Sequence, residues 1–189
     1  MHELHANEII LLSYYIAAIN IEAVFDEVNG PDRGYKPFDG IVLTDTFEST
    51  ERENSFMDEL LGENNQRLKA EQNQPITAII SNPPYSVGQG SANDDNQNNH
   101  YPQLEKKIEQ TYVTNSKAAL SKSSYDSYIK AMRWASDRLE AHGVIGFITN
   151  SGYIDKGALS GVRKSLHQEF NHIYVLNLRG AVKGKVGNE

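Results

Sequence analysis

The sequence predicts a layered α/β fold with parallel strands. Long helical segments alternate along the chain with short apolar runs of strand length, and the apolar runs end in polar residues. The length of 189 residues suits one domain, and a hydrophobic share of 39% is enough to build a core.

The segment from Glu8 to Glu22 opens the pattern. It is apolar on most sides (Ile9, Ile10, Leu11, Leu12, Tyr14, Tyr15, Ile16, Ile19), which predicts a helix buried between neighbours, with Asn7 placed to cap it. Gly40 to Phe47 is the first expected strand, Ile41 to Leu43 leading into Asp45. Thr77 to Ser81 is the second, leading into Asn82. Ser86 to His100 is polar and monotonous and is expected to form a loop. Helices are expected over Gln103 to Leu120 and over Ser123 to Ala141, where Tyr128, Met132, Ala135 and Leu139 recur at helical spacing until Gly143. Val144 to Ile148 is the third strand, Ala158 to Phe170 a helix, and Ile173 to Leu178 the fourth strand. No repeat, linker or second domain stands out.

Composition excludes several function classes. The chain has no cysteine, so thiol nucleophiles, disulfide frameworks and thiolate zinc sites are ruled out. The longest apolar run, Ile9 to Ile19, is shorter than the roughly 20 residues that cross a bilayer and has no signal-peptide flanks. A cytoplasmic location with no membrane partner is the expectation. A formal net charge of -7 argues against charge-driven, indiscriminate nucleic-acid binding, although Arg163, Lys164, Arg179, Lys183 and Lys185 cluster late in the chain. The six histidines show no metal-ligand spacing, and no metal is expected. Gly88 and Gly90 lack the third glycine of a dinucleotide fingerprint, and Gly184 with Lys185 lacks the spacing of a phosphate loop. Tyr14, Tyr15, Tyr128 and Trp134 read as packing residues.

One tetrapeptide carries chemistry: Asn82, Pro83, Pro84 and Tyr85, at the carboxyl end of an expected strand. Each proline removes an N–H and holds the preceding residue extended, which fixes the direction of the carbonyls. An exocyclic amine on a planar base is a poor nucleophile because its lone pair is delocalised into the ring. Two acceptors, the Asn82 side-chain carbonyl and the Pro83 backbone carbonyl, would take both amine hydrogens and favour a pyramidal nitrogen able to attack an electrophilic methyl. Tyr85 offers a flat face for an extruded base. A rigid turn after a buried strand is the plainer alternative.

This tetrapeptide resembles motif IV of the amino-methyltransferases that use S-adenosylmethionine. Three further stretches, His5 to Glu22 (HANEIILLSYYIAAINIE), Tyr125 to Asp155 (YDSYIKAMRWASDRLEAHGVIGFITNSGYID) and Arg163 to Gly180 (RKSLHQEFNHIYVLNLRG), resemble the methyltransferase region of helicase-containing, type ISP restriction-modification enzymes. The resemblance implies an incomplete Rossmann-like methyltransferase sheet with helices on both faces, spanning residues 1–189 as motifs II to VI/VII. It also implies methyl transfer from S-adenosylmethionine to N6 of a flipped-out adenine in DNA.

Glu8 would then be the motif II acid that binds the cofactor's ribose hydroxyls. Asp45 would be the motif III acid at its adenine amine, with Phe47 packing on the ring. Tyr125 and Asp126 would line the target pocket as part of motif V. Each has an ordinary alternative: an acid favoured near a helix N-terminus, a loop aspartate that caps, and a helix cap at Asp126. Similar tetrapeptides occur in RNA guanine-N2 and protein glutamine methyltransferases, and a non-catalytic module that binds nucleic acid or a partner is the other alternative. The family's motif I has no counterpart before Glu8, so the chain is expected to be an inactive piece of a longer enzyme. Its partners would be DNA, the remainder of the parent polypeptide, and a second copy at an exposed strand edge.

Overall fold

The computed structural model describes residues 3–30, 34–51, 62–84, 99–116 and 122–178. Among these residues the strands and α-helices follow in the order β1 (Ala6–Glu8), α1 (Leu11–Asn29), β2 (Ile41–Leu43), α2 (Gly62–Gln72), β3 (Ile76–Ser81), α3 (Pro102–Ile108), α4 (Ser127–Arg138), β4 (Leu139–Phe147), α5 (Gly152–Asp155) and α6 (Ser160–Glu169). The expected single sheet is, among the described residues, two pairs, β1–β2 and β3–β4. β1 and β2 are parallel, with Ala6 opposite Ile41, Asn7 opposite Val42 and Glu8 opposite Leu43. In the second pair Thr77 lies against Gly143 and Ile80 against Gly146, and the Ile148 N–H donates to the Ser81 carbonyl at 3.1 Å. Numbering rises together along both strands, as in a parallel ladder.

The chain divides into two compact units. One holds Met1–Ile79, Asn98–Leu104 and Asp137–Ile145; the other holds Ile80–Gln97, Glu105–Ser136 and Gly146–Glu189.

In the first unit α1 and α2 pack on the β1–β2 pair, and Phe38, Ile41 and Val42 are its buried centre. Gly40 is required by close approach, since a Cβ there would run into the Leu4 carbonyl and the Phe38 ring. The outer edge of β2 is closed by one side chain instead of a strand. Asn64, only 8% exposed on α2, accepts the Leu43 N–H through Oδ1 at 2.9 Å and donates from Nδ2 to the Leu43 carbonyl at 3.0 Å. Arg138 supplies a second helix-end cap, donating to the carbonyls of Glu71 at 2.7 Å and Gln74 at 2.9 Å where α2 ends.

The sequence reading of α1 needs correction. None of its residues is buried. Tyr14, Ala17, Ala18, Ile21 and Phe25 form a half-buried stripe, whereas Leu11, Leu12, Tyr15, Ile16 and Ile19 are exposed. The helix rests on one layer, so only one face finds cover among the described residues. Its start is also later than expected, because residues 6–8 pair as β1. Asn7 is therefore a strand residue, and the helix begins after Ile10 without a side-chain cap.

In the second unit α6 crosses the π-helical turn Glu109–Val113 that continues α3. The two elements touch at Gly161, where any Cβ would collide with the Tyr112 carbonyl. Tyr128, Met132 and Ala135 of α4 are buried, as their spacing predicts, together with Ile108, Tyr112, Ile129, Leu159 and Val162, whereas Leu139, expected in the same stripe, is a half-buried residue of β4. Two ion pairs flank this core: Lys130 Nζ to Glu105 Oε1 at 2.8 Å and Arg133 Nη1 to Glu169 Oε1 at 2.7 Å. The Arg133 guanidinium also lies 5.5 Å from the centre of the Tyr112 ring.

Several elements differ from expectation: the first expected strand is only Ile41–Leu43, α3 gives way to the π-helical turn at Glu109, and α2 has no counterpart among the expected elements. α4 stops at Arg138, and Glu140 to His142 belong to β4. Residues 173–178 form no strand and stand exposed, because a β-prone run becomes a strand only beside a partner edge. The expected polar loop, with Gly88 and Gly90, lies largely outside the described residues, as do Gly184 and Lys185. No described helix is long and apolar enough to cross a membrane.

Candidate active site

Glu8, Asp45 and Asn82 each stand at or just beyond the carboxyl end of a strand, where open α/β sheets bind ligands, whereas Tyr125 and Asp126 stand just before α4. In the first unit Glu8 ends β1 and Asp45 follows β2 by two residues. The Thr44 N–H donates to the Glu8 carbonyl at 2.9 Å, so the ladder brings the two acids to neighbouring strand ends. Parallel strands lie about 4.8 Å apart. Glu8 Oε1 accepts the N–H groups of Ile9 and Ile10 at 2.9 and 3.1 Å, which turns the chain from β1 into α1. Its Oε2 has no partner among the described residues, and a carboxylate oxygen held this way suits a hydroxyl donor.

Asp45 is more heavily used than its sequence position suggests. Oδ1 accepts the N–H of Phe47 at 2.9 Å and of Glu48 at 3.3 Å, capping the turn Glu48–Thr50. Oδ2 accepts the Tyr101 hydroxyl at 2.8 Å. Phe47 stands edge-on to Tyr101, with ring centres 5.3 Å apart and planes at 79°. Capping is thus real for Asp45. A carboxylate has about four lone-pair positions, so one remains after three bonds. Burial, followed by the Asp45 carboxylate, raises the Tyr101 hydroxyl above the usual tyrosine range, which keeps it a donor. Tyr101 was not legible as a site residue in the sequence. The only signal was its place as the aromatic residue that ends the polar stretch after the tetrapeptide.

In the second unit Asn82 directly follows β3. It is exposed, and its side chain has no partner among the described residues. Pro83 is buried and Pro84 exposed, so the motif is rooted at its second residue while the amide stays open. Tyr85 lies outside the described residues. Asp126 is 7% exposed, and its carbonyl accepts the N–H groups of Ile129 and Lys130 at 2.9 Å, which places it at the start of α4 as the capping alternative requires. Tyr125 is half-buried, and burial with the nearby acids Glu109 and Glu105 raises its hydroxyl pKa. Tyr128, one turn along, is pushed up to about 12 by burial and by Asp126. Among the described residues no group of three or more acid and histidine side chains is placed to hold a metal ion.

Residues 5–182 match the model of the Eco57I restriction-modification methylase family. The chain belongs to that family. Its solved relatives include a nuclease-deletion mutant of the Type ISP restriction-modification enzyme LlaGI in complex with a DNA substrate mimic, 61% identical over 91% of this chain with a TM-score of 0.85. The ATP-dependent Type ISP enzyme LlaBIII bound to DNA is 56% identical over 88% of this chain, with a TM-score of 0.80. The DrdV–DNA complex is 40% identical over 89%, with a TM-score of 0.79. This methylase-family chain spans 14%, 11% and 16% of those three chains respectively. None of the curated proteins is similar enough to count as a match.

Proposed function

We propose that this chain is part of a DNA methyltransferase that moves a methyl group from S-adenosylmethionine to N6 of an adenine turned out of the duplex. The reading is carried by Asn82: an exposed amide with no partner among the described residues, set at the carboxyl end of a parallel strand and followed by a buried proline. Its Oδ1 and the Pro83 carbonyl accept the two amine hydrogens, and the nitrogen lone pair leaves conjugation with the ring. When bound, the cofactor supplies an electrophilic methyl on a sulfonium. The chain's own part would be to hold the amine nitrogen, through Asn82 Oδ1 and the Pro83 carbonyl, for the methyl group that the cofactor would supply. Tyr85 is the stacking face for the extruded base, and Tyr125 and Asp126 line the pocket that receives it.

The donor set of the first unit fits the cofactor. Glu8 Oε2 is open to ribose hydroxyls, and the unused position on Asp45 suits the adenine amine beside Phe47. In this reading the chain contributes part of a Rossmann-like methyltransferase domain with helices on both faces. The exposed apolar stripe of α1 is covered by other parts of a longer polypeptide, which also carries the DNA-reading surface that a net charge of -7 does not supply. Such an enzyme works in the cytoplasm.

The test is methyl transfer by the full-length polypeptide from labelled S-adenosylmethionine to DNA, RNA and protein in parallel, followed by nucleoside analysis. Label is expected in DNA as N6-methyladenine. Asn82→Ala should abolish transfer while cofactor affinity stays within about threefold. Label in RNA or protein, or loss of cofactor binding together with transfer, would refute the assignment.

A further inference from the structure

The segment that returns to the first unit at Asn99 to Leu104 is fastened to the turn after β2 at two places. Glu51 accepts the first free N–H groups of α3, Gln103 N at 2.8 Å on Oε2 and Leu104 N at 2.9 Å on Oε1, and its carbonyl accepts Gln103 Nε2 at 3.1 Å. One residue before α3, Tyr101 is 5% exposed and reaches Asp45 Oδ2 at 2.8 Å with its ring edge-on to Phe47. The Glu51 bonds hold the helix. The Tyr101 bond does something different, because it ends on Asp45, a carboxylate that the cofactor reading uses.

We propose that Tyr101 is the positioning residue of the Asp45 carboxylate, fixing the direction in which its remaining lone pair meets the amine of an adenine ring. This rests on the reading of Asp45 as a cofactor contact. The terminal torsion of an aspartate is broad, so a carboxylate anchored through one oxygen can rock about its axis. Phe47 and Glu48 anchor Oδ1 only. The hydroxyl on Oδ2 supplies the second point, and two points define the plane. An acceptor set before the ligand arrives loses less freedom on binding than one that must be ordered by it. Phe47 takes part in the same arrangement, since its N–H and its ring both hold to the Asp45–Tyr101 pair.

The experiment uses the full-length polypeptide and two ligands, S-adenosylhomocysteine and its inosine counterpart, in which the ring amine is replaced by oxygen. The unaltered protein should prefer the amine ligand. Tyr101→Phe keeps the ring and removes only the hydroxyl. It should weaken the amine ligand by about three- to tenfold, leave the inosine ligand nearly unchanged, and raise KM for the methyl donor while kcat stays within about twofold. Glu51→Gln loosens the same return without touching the hydroxyl and should preserve the ligand preference. Thermal melts confirm that each variant is folded. If Tyr101→Phe keeps the full preference while Asp45→Ala loses it, the positioning role is wrong and the cofactor contact stands. If Asp45→Ala keeps the preference, the cofactor contact itself is wrong. An equal loss in Glu51→Gln would assign the effect to placement of the segment and overturn the role of the hydroxyl.

Discussion

Asn64 replaces a third strand at the edge of β2, and Asn64→Ala should show how much that replacement contributes. In a parallel ladder alternate residues point their backbone groups to opposite sides. The Thr44 N–H goes to β1, whereas the Leu43 N–H and carbonyl face outward to Asn64 at 2.9 and 3.0 Å. Alanine leaves both without their partner. A buried unsatisfied backbone group costs about 1–3 kcal/mol, and because Leu43 is only half-buried the lower end applies to each. The expected loss is about 2–3 kcal/mol, read in urea as a lower midpoint at unchanged m-value. Asn64→Asp is the sharper test. It keeps an acceptor for the Leu43 N–H but turns a charged oxygen toward the Leu43 carbonyl, so the folded state favours the protonated acid and raises its pKa. The deficit should therefore exceed that of alanine at neutral pH, shrink as pH falls through the raised folded pKa, where a protonated oxygen can donate again, and stay constant below about pH 4. An alanine variant within about 0.5 kcal/mol of the parent, or an aspartate variant as stable as asparagine at pH 7, would refute the strand-replacement argument.

Two further outcomes follow from packing and burial. Gly161→Ala drives a Cβ into the Tyr112 carbonyl, a backbone atom held in the π-helical turn, so α6 must shift. A loss of about 2–3 kcal/mol with a wider thermal transition is expected, and a melting point equal to the parent's would mean that the two elements separate freely. Glu71 has a pKa raised above 4.5 by burial, only partly offset by its hydrogen bond from Asn7 and the charge of Arg138. The folded state thus holds this proton more tightly than the unfolded state. Its contribution is fully present below about pH 4.5 and is lost as pH rises through the folded value. Glu71→Gln should gain stability relative to the parent between acid and neutral pH, and a difference that stays constant from pH 4 to 8 would show that burial does not govern this group.

Local pattern was legible where one neighbour decides the outcome. The short apolar runs Ile41 to Leu43 and Ala78 to Ile80 marked strands that the structure forms over Ile41–Leu43 and Ile76–Ser81, and the spacing of Tyr128, Met132 and Ala135 marked the buried face of α4. It failed where a distant edge decides. The three residues of β1 are too few to show a period, and they form a strand only because β2, more than 30 residues later, lies beside them. Ile173 to Leu178 has equal apolar character and no ladder. The ends of α1 and α4 moved for the same reason, since β1 and β4 claim residues that helical periodicity would keep. Asp45 could be named because it follows the apolar run Ile41 to Leu43, and Glu8 only through the family resemblance, since it precedes an apolar run expected to be helical. Asn64 and Tyr101 could not, because their importance lies in contacts 21 and 56 residues away.

On the proposed reading, the two kinds of polar residue at the strand ends are treated in opposite ways, and the difference follows from what each would have to do. A group that only has to present an acceptor in a fixed place gains from being tied down beforehand, and Asp45 has three of its positions filled by the protein. A group whose bonds must strengthen as the reaction proceeds cannot be satisfied in advance, since any protein donor on it would compete with the amine at the moment of transfer. Asn82 has none among the described residues. Giving it one should therefore slow transfer even if the amide itself is kept, and this distinguishes a preorganised acceptor from a residue that merely shapes the turn between Ser81 and Pro83.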